Sequence, residues 1–128
     1  MTSITILHHL GLGDQIMLNG MVRHFVENEN VNIFVKQNHK KSVEFMYKDI
    51  RDRVNIIPLD NVNPSYIRSK IPKGSRVLPL ATYGMNDETW NVYTSATNWA
   101  HGVYLQAKVN PLYMYTKFKV IRNNSIQI

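Results

Sequence analysis

The feature that most limits what this chain can fold into lies near its amino end, where a β-branched run stops at a pair of glycines and an amphipathic helix begins. Ile4 to His8 reads as a first strand, Gly11-Leu12-Gly13-Asp14 as a turn, and Gln15 to Glu27 as a helix. In that helix Met17, Met21 and Phe25, with Leu18, Val22 and Val26 beside them, recur at i+4 and make a wide apolar stripe. Asp14 suits the N-cap, because a carboxylate there accepts from free backbone N–H groups and meets the positive end of the helix dipole. Asn28-Glu29-Asn30 breaks the helix, and Val31 to Val35 gives a second strand ending at Lys36.

The same unit returns in coarser form. Ser42 to Ile50 carries Val43, Met46, Tyr47 and Ile50 at helical spacing, and Val54 to Leu59 is a third short apolar run. Asn63-Pro64-Ser65 looks like a helix start, Tyr66 to Ile71 a short helix, Pro72-Lys73-Gly74 a turn, and Arg76 to Ala81 a fourth strand weakened by Pro79. Strands alternating with helices at this spacing predict an α/β fold, a Rossmann-like three-layer domain with a mostly parallel sheet of about four to six strands. Its strand carboxyl ends share one edge.

The regular pattern spans residues 1–85 and degrades over 86–128. Residues 89–128 hold seven of the thirteen aromatics, no Asp or Glu, and Lys108, Lys117, Lys119 and Arg122, which is +4 of the net +6. Tyr113 to Arg122 alternates in part like an edge strand. With 128 residues the chain has material for one domain. It has no cysteine, which excludes disulfide frameworks, zinc ribbons, iron–sulfur clusters and thiol nucleophiles. No apolar run approaches a membrane span and the first residues do not resemble a signal peptide, so a soluble, cytoplasmic protein is expected. The basic residues are scattered, which fits a solvated surface better than a nucleic-acid stripe.

Chemistry concentrates at His8-His9-Leu10-Gly11-Leu12-Gly13-Asp14-Gln15. Glycines at 11 and 13 allow a sharp bend and close approach of a ligand, and a helix start offers unpaired N–H groups to a phosphate. The dinucleotide fingerprint fails, since Ile16 stands where its third small residue belongs and Lys36 where its ribose carboxylate belongs. The Walker pattern fails for want of Gly-Lys-Ser/Thr. Asp14 is either a plain cap or a general base at the mouth of the sheet, and its place on the functional edge favours the second. His8 and His9 point to opposite sides of a strand end, so no metal site is expected there. Arg23 lies well down the helix and reads as structural. Asn19-Gly20 in mid-helix suggests close approach of a ligand or another backbone. Lys36 could meet a phosphate at the end of strand two.

These residues carry a resemblance. His9-Leu10-Gly11-Leu12-Gly13-Asp14-Gln15-Ile16, followed by Asn19-Gly20 and Arg23, resembles the amino-terminal domain of GT-B glycosyltransferases related to the heptosyltransferases. Phe34-Val35-Lys36, Ser42 to Tyr47 and Phe118 to Asn123 extend the likeness, and fucosyltransferases with Gly-Leu-Gly-Asn-Gln are a more distant one. The resemblance implies an acceptor-side domain with Asp14 as catalytic base, and His9, Gly11, Leu12, Gly13, Gln15, Asn19 and Lys36 are the candidate substrate-binding residues. No metal and no cofactor are expected. The donor would be a nucleotide-sugar, held in that family mostly by a carboxy-terminal domain. The 128 residues end before such a domain, so the isolated chain is expected to be inactive until a second domain completes it.

The rival expectation is a non-catalytic α/β module for binding or assembly, forming a homo- or hetero-oligomer through residues 86–128. Single-stranded nucleic-acid binding by that segment is a less favoured third.

Overall fold

A computed structural model of the chain describes residues 2–81 and 98–121. Four strands, β1 (Ser3–Leu7), β2 (Asn30–Lys36), β3 (Val54–Leu59) and β4 (Arg76–Pro79), make one sheet in the order β3-β2-β1-β4. Every pairing is parallel. The helices are α1 (Leu12–Met17), α2 (Asn19–Phe25), α3 (Lys40–Met46), α4 (Pro64–Ser69), α5 (Trp99–Gln106) and α6 (Tyr113–Thr116). The α/β, Rossmann-like reading of the sequence therefore holds.

Period-two alternation sends the strands' side chains into two cores. Ile4 and Ile6, Val31, Ile33 and Val35, and Val54 and Ile56 meet Met17, Met21, Val22, Val43, Tyr47 and Tyr104 on one face. Leu7, Phe34 and Leu59 meet Ile67 of α4 and Leu10 on the other. Asn63 caps α4 by accepting from the Ser65 N–H at 2.9 Å, with Pro64 at the first helical position, as the Asn-Pro-Ser signal implies. The turn after it needs Gly74, whose φ is +83°.

That second face also carries a row of polar side chains in register across the sheet, Thr5 opposite Asn32 and Asn32 opposite Asn55. The Asn55 amide donates to Asn32 Oδ1 at 3.2 Å, and the Asn32 amide to Thr5 Oγ1 at 3.2 Å. The Thr5 hydroxyl meets Ser75 Oγ at 2.8 Å, and the Ser75 hydroxyl donates to the Pro72 carbonyl at 2.8 Å.

Two expectations are corrected. The helix foreseen over 15–27 is two segments, α1 and α2, joined at Leu18. The cause is a side chain inserted in the helical ladder: Tyr104 Oη donates to the Met17 carbonyl at 2.7 Å and accepts from the Met21 N–H at 3.0 Å, replacing the i to i+4 bond between them. Nor is Tyr113 to Arg122 a strand. Tyr113–Thr116 is a helical turn, residues 117–121 are irregular, and Arg122 lies outside the described residues. Asn110 starts the turn by accepting from the Leu112 N–H at 3.0 Å, ahead of Pro111.

The following stretch lies against α2. A Cβ on Gly20 would collide with the Tyr113 carbonyl, so the close approach suggested by Asn19-Gly20 is that of another backbone. The His24 ring stacks on Tyr113 with centroids 5.1 Å apart, and Lys117 pairs with Glu27 at 2.7 Å. Residues 82–97, which include the end of the expected regular core at 85, lie outside the described residues.

Candidate functional site

The chain passes from β1 to β2 to β3 in one direction across the sheet, and then returns to place β4 on the other side of β1. The carboxyl ends of β1 and β4 therefore flank a topological switch point, where open parallel sheets form their ligand crevices. The segment leaving β1 at this point is His8 to Asp14.

Its conformation differs from the expected one in a way that matters. Gly11, with extended angles (φ −64°, ψ 154°), is the N-cap of α1, so Asp14 is the third helical residue and not the cap. The Asp14 carboxylate reaches back and accepts from the Gly11 N–H through Oδ2 at 3.0 Å. Neither glycine has a positive φ, so neither supplies the sharp bend foreseen for it. Gly11 is needed for space instead, since a Cβ there would stand 2.8 Å from Asp14 Oδ2. A Cβ on Gly13 would meet nothing within 4 Å. Asp14 Oδ1 makes no hydrogen bond among the described residues.

The other candidates divide sharply. Gly13 is exposed, His9, Gly11 and Leu12 are half-buried, and all four lie along the same stretch as Asp14. Gln15 is turned inward, 2% exposed, and its amide donates to the Phe34 carbonyl of β2 at 2.8 Å. Asn19 is fully buried. Its amide donates to the Lys119 carbonyl at 3.1 Å, and its Oδ1 accepts from the Lys119 N–H at 3.0 Å and from Arg23 Nε at 3.2 Å. The structure thus spends both side chains as braces to the backbone. Lys36 ends β2 and lines a separate groove of about 550 Å³ with Gln37, Asn38, Leu59, Asp60 and Val62.

Arg23 is structural, as its place down the helix implied. Its guanidinium grips both Asp49 oxygens at 2.8 and 2.9 Å and donates to the Met46 carbonyl at 3.0 Å, which holds the Asp49 carboxyl below its usual range.

Beside the turn, the structure assembles groups that the sequence did not join. His8 is buried, with Nδ1 3.0 Å from the His9 carbonyl, and its ring meets Trp99 at the start of α5, centroids 5.9 Å apart. Burial pushes the His8 imidazole down to about 4, against the opposing pulls of the His9 carbonyl and Asp14. Trp99 follows Asn98, whose side chain caps α5 by accepting from the Ala100 and His101 N–H groups at 2.9 and 3.2 Å. On the other side, Gly13, Ile16, Met17, Met114, Tyr115 and Phe118 line an apolar groove of about 440 Å³. The aromatic enrichment after residue 89 was the one sequence signal for these partners.

Among the described residues no group of three or more His, Asp or Glu could hold a metal, and no helix is long and apolar enough to cross a membrane. No family model, curated protein or solved structure matches the chain. The turn itself presents one oriented carboxylate, its Oδ1 unbonded among the described residues, at the switch point of a parallel sheet and next to an apolar groove.

Proposed function

We propose that the chain is the acceptor-side domain of a GT-B-like sugar transferase, in which Asp14 is the general base that takes the proton from an acceptor hydroxyl. The nucleotide-sugar donor would be bound by a second domain, as the resemblance of the His9 to Ile16 stretch implies. The observation that carries this reading is the Asp14 carboxylate in the first turn of α1, which follows β1, with Oδ2 fixed by the Gly11 N–H. A base must be aimed before it is useful, and a carboxylate held by one oxygen presents the other in a set direction. The groove between α1 and α6 offers apolar surface on which an acceptor could rest while the donor is clamped over it.

The test is sugar transfer, read by mass spectrometry, with the full chain alone and mixed with candidate donor-domain proteins, across a panel of nucleotide-sugars and glycan acceptors. Transfer should fall by about a hundredfold or more in Asp14→Asn. Absence of transfer in every pairing, or equal transfer by Asp14→Asn, rejects the reading.

One observation favours a second reading, that of a non-catalytic binding or assembly module. Leu112, Tyr115, Phe118 and Ile121 are exposed along one short stretch, Leu112 and Tyr115 by 59% and 60%. Such a run on a folded surface is a natural contact for another protein. Sedimentation that shows concentration-dependent association, abolished by the double change Tyr115→Ser and Phe118→Ser, would support it over catalysis. Salt-dependent capture of oligonucleotides would instead turn the segment toward nucleic acid.

A further inference from the structure

We infer that Gln15 is the positioning residue for Asp14: through its side chain, the carboxyl end of β2 sets the direction in which the Asp14 carboxylate points. The placement of the carboxylate stands on contacts within the chain, and its use in proton removal rests on the acceptor-side reading.

The contacts form one unbroken series from the sheet to the carboxylate. β1 pairs with β2 as far as Ile6 and Ile33, while β2 and β3 stay paired to Lys36 and Leu59. Phe34 is the first residue of β2 past the β1 pairing, and Gln15 Nε2 donates to its carbonyl at 2.8 Å. The Gln15 N–H donates to the Gly11 carbonyl at 3.1 Å. The Gly11 N–H donates in turn to Asp14 Oδ2 at 3.0 Å. Gly11 is thus held at both of its polar groups by two adjacent residues, one of which is anchored on the sheet.

Burial makes the anchor firm. Gln15 and Phe34 are both buried, so water does not compete for the amide, and an apolar side chain of the same length would leave the Phe34 carbonyl without this donor. Asp14, the next residue toward the amino end, is half-buried at the surface. The two neighbours therefore divide one task, with Gln15 turned to the sheet and Asp14 aimed by what Gln15 holds. Gln15 is too deeply buried to meet an acceptor itself, so the substrate-binding role expected of it becomes an indirect one, exerted through Asp14. A carboxylate freed from Gly11 would regain its rotamers and spend less time in the productive direction.

The test is NMR of the full chain, read at the Gly11 amide. A proton donated to a carboxylate resonates downfield, so its position reports the bond to Asp14 whatever the global stability. Gln15→Met keeps the length of the side chain and removes the donor. The Gly11 proton should move upfield and exchange with solvent about tenfold faster, the scale of one hydrogen bond. Asn63→Ala, which removes the cap of α4 on the other face of the sheet, is the control for lost stability alone and should leave the Gly11 resonance in place. If Gln15→Met does not fold, Gln15→Asn, which keeps the amide but is one methylene short of the Phe34 carbonyl, should give the same movement. A Gly11 proton unmoved in either folded variant overturns the inference, as does an equal movement in Asn63→Ala. Where sugar transfer is found, Gln15→Met should lower kcat about tenfold and leave KM near wild type, because it removes no contact with the acceptor. An unchanged kcat overturns the positioning role alone. A moved Gly11 proton with no transfer in any pairing rejects the transferase reading and supports the placement of Asp14 by Gln15.

Discussion

The hydroxyl of Tyr104 stands between the Met17 carbonyl and the Met21 N–H, donating to the first at 2.7 Å and accepting from the second at 3.0 Å. A residue from α5 thereby completes the hydrogen bonding of the first helical rod and fixes how α1, with Asp14 near its start, is tilted against α2. Tyr104→Phe removes the bridge and leaves two buried backbone groups either apart or forced to close on each other. A loss of about 1–3 kcal/mol is expected from urea unfolding, with an unchanged denaturant slope.

Glycine to alanine in a helix ordinarily stabilises by about 1 kcal/mol. At Gly20 the sign should reverse, because the new methyl meets the Tyr113 carbonyl and backbone cannot move aside as a side chain can. Gly20→Ala should destabilise by about 2 kcal/mol or more. Hydrogen exchange at the Lys119 amide, which donates to Asn19, should become faster as the segment lifts. Protection equal to wild type would mean that the contact is not holding the segment.

The pH dependence of stability should carry a mark from His8. Its folded pKa of about 4 lies below the ordinary 6.5, so between those values the unfolded chain binds more protons. The stabilisation is complete above pH 6.5 and declines as the pH falls toward 4, by up to about 3 kcal/mol across the window. His8→Gln should flatten the slope of unfolding free energy over that range. An equal slope in wild type and variant would refute the assignment.

The two glycines of the turn should behave differently. Gly11→Ala must push the Asp14 carboxylate off the Gly11 N–H, a loss of about 1 kcal/mol for the cap and of the orientation of Asp14. Gly13→Ala enters open space in a helix, so it should be neutral or stabilise by up to about 1 kcal/mol. Parallel thermal and urea unfolding of the pair checks both signs.

How far these features could be read beforehand follows from the range of the forces involved. β2 and β3 were legible because apolar runs bounded by polar breaks are a local signal, and Val54 to Leu59 appears at the bounds expected. The break at Leu18 was not legible, because it is made by Tyr104, 87 residues from Met17. Tyr113 to Arg122 misled because its alternation is partial and the contact with Gly20 decided its shape. At the site, Asp14 stood out by position, yet its place three residues past the cap required the side chain to fold back on Gly11. Gln15 and Asn19 looked like ligand-facing polar groups, and a sequence cannot show that their partners are the backbones of Phe34 and Lys119. His8 was visible as a titratable group, but its burial against Trp99, 91 residues away, was not.

The polar row across β3, β2 and β1 has a consequence for how the sheet finds its alignment. Apolar faces alone tolerate a strand sliding by two residues, since the same face still points inward. The relay from Asn55 through Asn32 and Thr5 to Ser75 does not, because any such slide parts Asn32 from both its neighbours and leaves its buried amide without them. The relay runs in one direction and ends at the Pro72 carbonyl, so the four side chains work as a key that favours one alignment of the three strands. Through that alignment the ends of β1 and β2 are set at fixed heights, and with them the platform from which the Asp14 turn projects.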